Sequence, residues 1–256
     1  MKNSFVETEN YLRFESALKA LDRRGADEAR LVVVDGEPGL GKTTALMRWC
    51  AQHDAVYVRA KKEWTPNWFM KDLLGAFKIP PPHSFSKGFE IATNTLTQRR
   101  MQLSLARRSF LVVIDEADHI SRSIDIMESI RDIADVSDTP FVFVGMGRIR
   151  DNLTRYPQVA SRVSQYVRFD KAGEADVRAL LDGLCEVPVA EDLAGFVGHA
   201  TGGYSREIKE AIVNIERFGK RNHNGADNPV TLAQMAGQLL VNDRKTGQPI
   251  TVPEPR

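Results

Sequence analysis

The chain has 256 residues, with 35 Lys and Arg against 34 Asp and Glu, so its formal net charge is +1. That length accommodates one large or two modest domains with a substantial core, and the near-neutral balance excludes a global field for nucleic acid, so any DNA contact has to come from a local patch. No run approaches the ~20 apolar residues of a membrane span and no apolar signal core opens the chain, while Cys50 and Cys185 lack metal-ligand spacing, which points to buried thiols in a reducing, cytoplasmic compartment.

Residues 1–30 carry Phe14, Leu18 and Leu21 at helical spacing, which predicts a short amphipathic helix packed on the following domain, with Gly25 as its stop. An apolar strand over 31–34 then runs into Gly36-Glu37-Pro38-Gly39-Leu40-Gly41-Lys42-Thr43, and Lys42 opens a helix, with Thr44 in its first turn, that ends near Gln52. A strand, a glycine-rich turn and a helix start in that order let backbone N–H groups and the helix dipole converge on phosphate oxygens. Lys42 is expected on the β- and γ-phosphates, and the Thr43 hydroxyl on a Mg²⁺ that bridges them.

Residues 55–60 predict a second strand, which Lys61, Lys62, Glu63 and Trp64 leave at its end. Thr65-Pro66 reads as an N-cap with proline at the first helical position, opening a helix to about Phe77. After the break at Pro80-Pro81-Pro82, Ser86 is expected to cap a longer helix to about Arg108. Arg100 and Arg107 would share the face of Phe89, Ala92 and Leu96, so one straight helix is not expected there. Residues 110–116 and 140–145 predict strands apolar throughout, as sheets covered on both faces require, and 166–169 a shorter fifth. Between the third and fourth, a helix over 123–136 carries the stripe Ile126, Met127, Ile130, Ile133, Ala134. Alternating strands and helices imply a parallel sheet wrapped on both faces, with ligands at the carboxyl ends of its strands.

Strand signals stop near Lys171, and 175–184, 191–199 and 205–218 read as three helices. The organisation expected is therefore an N-terminal segment (1–30), an α/β nucleotide-binding domain (31–170), a helical lid (171–220), and a linker, a short helix capped by Thr231 and a disordered tail (221–256).

At the end of the third strand Asp115 is suited to hold Mg²⁺, and Glu116 to orient and deprotonate an attacking water. Taken alone the pair is two solvated acids opening a loop; the phosphate loop, with one strand between them, is what gives it chemical meaning. An acid beside the metal carboxylate favours hydrolysis over transfer to a small acceptor.

These two stretches resemble the Walker A and Walker B motifs of AAA+ ATPases, and the resemblance runs from about Phe5 to about Lys220. It implies an α/β P-loop AAA+ fold, a five-stranded parallel sheet between helices followed by a small α-helical lid, with ATP and Mg²⁺ as cofactors. It further implies an arginine finger just before the fifth strand, where Arg162 stands with Arg155 as runner-up, a plain surface arginine being the alternative. Arg206, after Gly202-Gly203-Tyr204-Ser205, is similar to the sensor arginine of the lid, and is otherwise at odds with the helix dipole. The first sensor departs from the pattern: where a polar side chain is usual at the tip of the fourth strand, this chain has Gly145-Met146-Gly147-Arg148. Slow hydrolysis is the expectation, with Arg148 a possible substitute.

Within that class, Phe5-Val6-Glu7-Thr8-Glu9 and Val56-Tyr57-Val58 followed by Trp64-Thr65-Pro66 are similar to the transposition ATPases, the family of phage Mu transposition protein B. The resemblance implies sequence-tolerant binding of double-stranded DNA, a ring or helical filament of identical subunits, a transposase or integrase-like partner and a bacterial host, with a phage or transposon as the source. Lys61, Lys62 and Lys71, near Trp64 and Trp68, are the candidate DNA-phosphate contacts, against the bland reading of a solvated basic loop. A helicase loader or replication initiator, or a signalling or secretion-accessory ATPase without a DNA role, are the alternatives.

Overall fold

A computed structural model of the chain describes residues 1–21, 28–222 and 228–254. In chain order its elements are α1 (Glu9–Leu21), β1 (Leu31–Asp35), α2 (Lys42–His53), β2 (Val56–Arg59), α3 (Pro66–Ala76), α4 (Phe85–Leu105), β3 (Val112–Asp115), α5 (Ile124–Ser137), β4 (Phe141–Val144), α6 (Ile149–Leu153), α7 (Pro157–Ala160), β5 (Val163–Arg168), α8 (Glu174–Leu184), α9 (Glu191–Thr201), α10 (Ser205–Asn222), β6 (Leu239–Asn242) and β7 (Pro249–Thr251). They fall into two compact units. A sheet unit holds Arg13–Glu37 and Lys42–Phe169, and a helical unit holds Met1–Leu12, Pro38–Gly41 and the residues from Asp170 onward.

The sheet unit is a five-stranded sheet in the order β2-β3-β4-β1-β5, parallel in every pairing. Its register sets Val32 against Val142 and Val113 against Val142, so the apolar runs stack side by side. Leu31, Val32, Val34, Val112, Ile114, Phe141 and Phe143 are buried. Each such side chain contributes about 1.5–3 kcal/mol relative to exposure, which is why strands with no polar alternation are stable only when covered on both faces. One bulge interrupts β1 against β5, between Leu31 and Val32. The expected helix at 1–30 is present as α1, with Phe14 buried edge-on against Trp49 of α2 at 5.9 Å between ring centroids. Gly25, its expected stop, lies outside the described residues.

Thr65 caps α3 as expected, its hydroxyl accepting from the Trp68 N–H at 3.2 Å, with Pro66 at the first position. The helix after the prolines differs from expectation. It begins at Phe85 with Ser84, not Ser86, at the cap position, and it runs unbroken to Leu105. The arginines on its face are accommodated by carboxylates: Arg100 pairs with Asp138 and Arg99 with Asp54. Arg107 is not on that face at all, because the chain turns left-handed there (φ 54) and the Arg108 N–H returns to Leu103 O at 2.9 Å.

In the helical unit, α8, α9 and α10 pack around Leu181, Leu193, Val197, Ile208, Ile212 and Ile215, all buried. The C-terminal segment corrects the expectation of a helix and a disordered tail. Thr231 does exchange hydrogen bonds with Gln234, its N–H to the Gln234 side chain at 2.9 Å and its hydroxyl from the Gln234 N–H at 3.3 Å. That capping signature closes only a turn, and with Gly237 at φ 73 the chain leaves it for β6. β6 and β7 form an antiparallel hairpin, and Met235, Leu240 and Val252 enter the helical core. Residues 223–227, within the expected linker, and 255–256 lie outside the described residues.

Both cysteines are buried and unpaired, and burial pushes the Cys50 thiol up to about 12. Leu240→Ala is expected to lower stability by about 2–5 kcal/mol in urea unfolding. A terminal segment outside the core would leave the midpoint unchanged.

Candidate nucleotide site

β1 delivers the glycine-rich loop to the carboxyl edge of the sheet, and α2 starts directly after it at Lys42. Gly39 and Gly41 have φ of 89° and 84°, a backbone that L side chains rarely adopt. Lys42 is buried, and its ammonium donates to Gly36 O at 2.5 Å and Glu37 O at 2.8 Å. Burial pulls this ammonium below the ordinary lysine value, opposed by the charges of Asp115 and Asp118. Thr43 and Thr44 are exposed in the first turn of α2.

Asp115, the last residue of β3, is buried, and Thr43 donates its hydroxyl to Asp115 Oδ2 at 2.7 Å. Tyr57 on β2 donates to the same oxygen at 2.5 Å, and the Glu116 N–H donates to Oδ1 at 2.8 Å. A hydroxyl and a carboxylate side by side, next to a buried lysine, form a set that fits a Mg²⁺ carried by a nucleotide polyphosphate, since magnesium is held by one or two carboxylates together with substrate phosphates. Among the described residues no group of three or more His, Cys, Asp or Glu side chains is placed to hold a metal unaided.

Glu116 sits in the left-handed region (φ 55, ψ 34), which costs about 1–3 kcal/mol for a non-glycine residue and marks a constrained position. The kink starts a 3-10 turn over Ala117–His119. Glu116 pairs with Arg59, the end residue of β2, and lies 3.6 Å from His119 Nε2. The Arg59 guanidinium holds the Glu116 carboxyl below its ordinary value.

Of the other expected residues, Arg162 lies just before β5, at the opposite edge of the sheet from the loop, with its Nε 3.1 Å from Asp135 Oδ2. Arg155 and Arg148 are exposed. In the helical unit the Arg206 N–H donates to Gly39 O at 3.1 Å, and its side chain is exposed. Lys61, Lys62 and Lys71 are exposed beyond β2 and on α3. Lys61 is engaged, 2.6 Å from Asp72 Oδ2 and 5.3 Å from the centre of the Trp68 ring. Trp64, expected beside these lysines, is a core residue that donates its indole N–H to Asp72 at 2.8 Å; Trp68 is the exposed one.

Two residues escape a reading by motif. Arg244, in the turn between β6 and β7, donates to Pro38 O at 2.7 Å and Glu207 Oε1 at 3.1 Å, and stacks 4.2 Å over Tyr204. Nothing in the sequence signals that contact. Asp118 reaches the Met146 N–H at the tip of β4; its signal was an acid three places after Asp115.

This strand order, loop and carboxylate define the fold of the P-loop AAA+ ATPases, with a helical C-terminal region. The chain belongs to the family described as AAA domain, whose pattern matches residues 23–153, just over half of it. A protein of Staphylococcus aureus described as a potential ATP-binding protein is 31% identical over 72 residues, 28% of this chain and 26% of that one. Among solved structures the fold is similar to Cdc6p of Pyrobaculum aerophilum (TM-score 0.61, 18% identity, 86% of this chain and 65% of that one). It is similar also to the ORC1 protein of Aeropyrum pernix in complex with DNA (0.58, 17%, 87% and 63%). A third is the RuvB Holliday junction branch migration motor of Thermotoga maritima (0.54, 16%, 88% and 66%). The chain thus spans less than two thirds of these solved relatives and about a quarter of the bacterial one. Among the described residues no helix is long and apolar enough to cross a membrane.

Because Arg59 depresses the Glu116 pKa, the stability from their pair is present at neutral pH and lost as pH falls through that lowered value. In Arg59→Ala the carboxyl is expected to titrate at a higher pH than in wild type by NMR, with that acid-range loss of stability reduced. An unchanged titration would mean the pair does not form in solution.

Proposed function

We propose that the chain binds ATP with Mg²⁺ and hydrolyses it to ADP and phosphate, using the binding energy to assemble on double-stranded DNA. The observation that carries this reading is the Thr43 hydroxyl on the Asp115 carboxylate, one residue after a buried lysine held by the loop's own carbonyls. Gly36 to Thr44, with the exception of Pro38, which has no N–H, would supply backbone donors to the phosphates, Lys42 would pair with the β- and γ-phosphates, and Thr43 and Asp115 would hold the metal. Magnesium bound there supplies charge neutralisation at the phosphate oxygens. Glu116 leaves Arg59 to accept the proton of the attacking water. Arg206, whose backbone already bonds Gly39, reads the terminal phosphate, and Arg162, at the far edge of the sheet, serves the site of a second copy.

The DNA reading is supported by the A. pernix ORC1 protein, solved in complex with DNA, and by the exposed Lys62 and Lys71 beside Lys61 and Trp68. Transposition, with a transposase or integrase-like partner, is supported by the residue resemblance at 5–9 and 56–66. The likeness in fold to Cdc6p and ORC proteins favours, as a second reading, a helicase loader or replication initiator. The partner that copurifies, a transposase or a helicase, separates the two.

A gel shift with random duplex DNA, with and without a non-hydrolysable ATP analogue, tests the core of the proposal. Binding is expected to need nucleotide and to weaken steeply with salt, because backbone phosphates supply the affinity. Affinity independent of both would overturn it. Lys42→Ala is expected to abolish nucleotide-dependent assembly, seen in light scattering. Glu116→Gln is expected to retain ATP and to lengthen the lifetime of the DNA complex, and normal hydrolysis by that variant would assign the base elsewhere.

A further inference from the structure

Three successive carbonyls of the glycine-rich loop are tied within the helical unit, to which Pro38–Gly41 belong. Arg244, in the turn between β6 and β7, donates from Nη2 to Pro38 O at 2.7 Å. The Arg206 N–H donates to Gly39 O at 3.1 Å, and the Ser205 hydroxyl to Leu40 O at 3.4 Å. Among the described residues no peptide bond is cis, and across a trans peptide the carbonyl of one residue and the N–H of the next point opposite ways. The N–H groups of Gly39, Leu40 and Gly41 are therefore aimed away from the groups that hold the carbonyls. Among the described residues none of the three has an acceptor. Successive backbone donors left open in this way suit a polyanion.

The three ties differ in what supplies them. Ser205 and Arg206 open α10, and the first N–H groups of a helix have no partner within it, so the bond to Gly39 O comes with the helix. Arg244 comes from a separate hairpin, and it holds the peptide whose orientation is least fixed by the chain itself. Pro38 and Gly39 are the central pair of a turn. Such a turn has two common forms, in which the second central residue takes φ of about −90° or about +80°, and the peptide plane between the pair is turned over from one form to the other. Gly39, with φ of 89°, is in the second form; in the first, its N–H would point to where Pro38 O now lies. Glycine takes either sign of φ about as readily, whereas the guanidinium accepts only the form that faces a carbonyl toward it. Its own orientation is set by Glu207 Oε1, 3.1 Å from Nη1, and by the Tyr204 ring, whose centre lies 4.2 Å from Cζ.

We propose that Arg244 is a positioning residue of the nucleotide site: by holding Pro38 O it keeps the Pro38–Gly39 peptide turned so that the Gly39 N–H faces the phosphates. This rests on the reading of the loop as a nucleotide site. A loop whose peptide can turn over binds only from the fraction in the competent form, so affinity falls for ATP and ADP alike while the bound complex reacts as before.

The test uses the whole chain and compares wild type with Arg244→Ala, with Arg244→Lys, and with Arg244→Ala combined with Glu207→Gln. Three readings are taken: the Gly39 amide resonance without nucleotide, the affinities for ADP and a non-hydrolysable ATP analogue by fluorescence of a labelled nucleotide, and single-turnover hydrolysis at saturating ATP. Arg244→Ala is expected to shift the Gly39 resonance and to weaken both nucleotides by on the order of 10-fold, with the saturated rate within about twofold of wild type. Arg244→Lys, whose ammonium can still donate to Pro38 O, is expected to recover most of that affinity, and Glu207→Gln none of it. Recovery by Glu207→Gln would reduce Arg244 to a counter-charge for that carboxylate and overturn the inference. So would an Arg244→Ala protein with the wild-type Gly39 resonance or wild-type affinity. Should Arg244→Ala alone fail to fold, the double variant, which strands no carboxylate, decides on the same readings. Wild type that binds no nucleotide is a different failure, that of the nucleotide reading itself.

Discussion

One carboxylate oxygen, Asp115 Oδ2, receives two hydroxyl hydrogen bonds, from Thr43 on α2 and from Tyr57 on β2, while the companion oxygen receives the Glu116 N–H. The group is buried, so these charge-assisted bonds are stronger than their neutral equivalents and their loss leaves three donors to desolvate alone. They tie the helix that starts with Lys42 to the centre of the sheet through a residue one position from the lysine. Burial and Asp115 together push the Tyr57 hydroxyl well above its ordinary range, so it remains a donor at any physiological pH. Thr43, Tyr57 and the backbone of Glu116 all meet at this one junction.

Much of the sheet unit was legible in the sequence because its signals are local. Apolar runs without alternation give buried parallel strands, Thr65-Pro66 gives a cap, and glycines before Lys42-Thr43 give a phosphate loop; none of these depends on what a distant residue does. The C-terminal hairpin was not legible for the opposite reason. Leu240 and Val252 are buried only because α10 offers an apolar face to receive them, and a sequence with Gly247, Pro249 and Pro253 around them looks like a tail until that face is known. The unbroken α4 escaped for a similar reason, since Arg100 is tolerable on its inner face only where Asp138 stands opposite.

The site divides along the same line. The residues of the loop and of the β3 terminus were read from spacing, but their neighbours were not, because strand order decides them. Arg59 meets Glu116 since β2 lies beside β3 with Arg59 opposite Asp115 in register, and Asp118 meets Met146 since β4 lies on the other side. Three charges picked out from sequence, Lys61, Glu116 and Arg162, each already have an ion-pair partner in their own chain. A role toward an outside ligand then includes the exchange of that partner, a cost that composition and spacing do not reveal.

The contact between Arg244 and the phosphate loop bears on how this polypeptide can be divided. A side chain at residue 39 would place its Cβ 2.5 Å from Arg244 Nη1, so the absence of one there makes room for the arginine as well as for the turn. A version shortened at the end of α10 would strip that guanidinium from Pro38 O and leave the Glu207 carboxylate, whose second oxygen already lacks a donor, facing Gly39 with its charge uncompensated. Its loop would then sit in a more negative field than the whole chain provides, and polyphosphate affinities measured on it would describe an altered molecule.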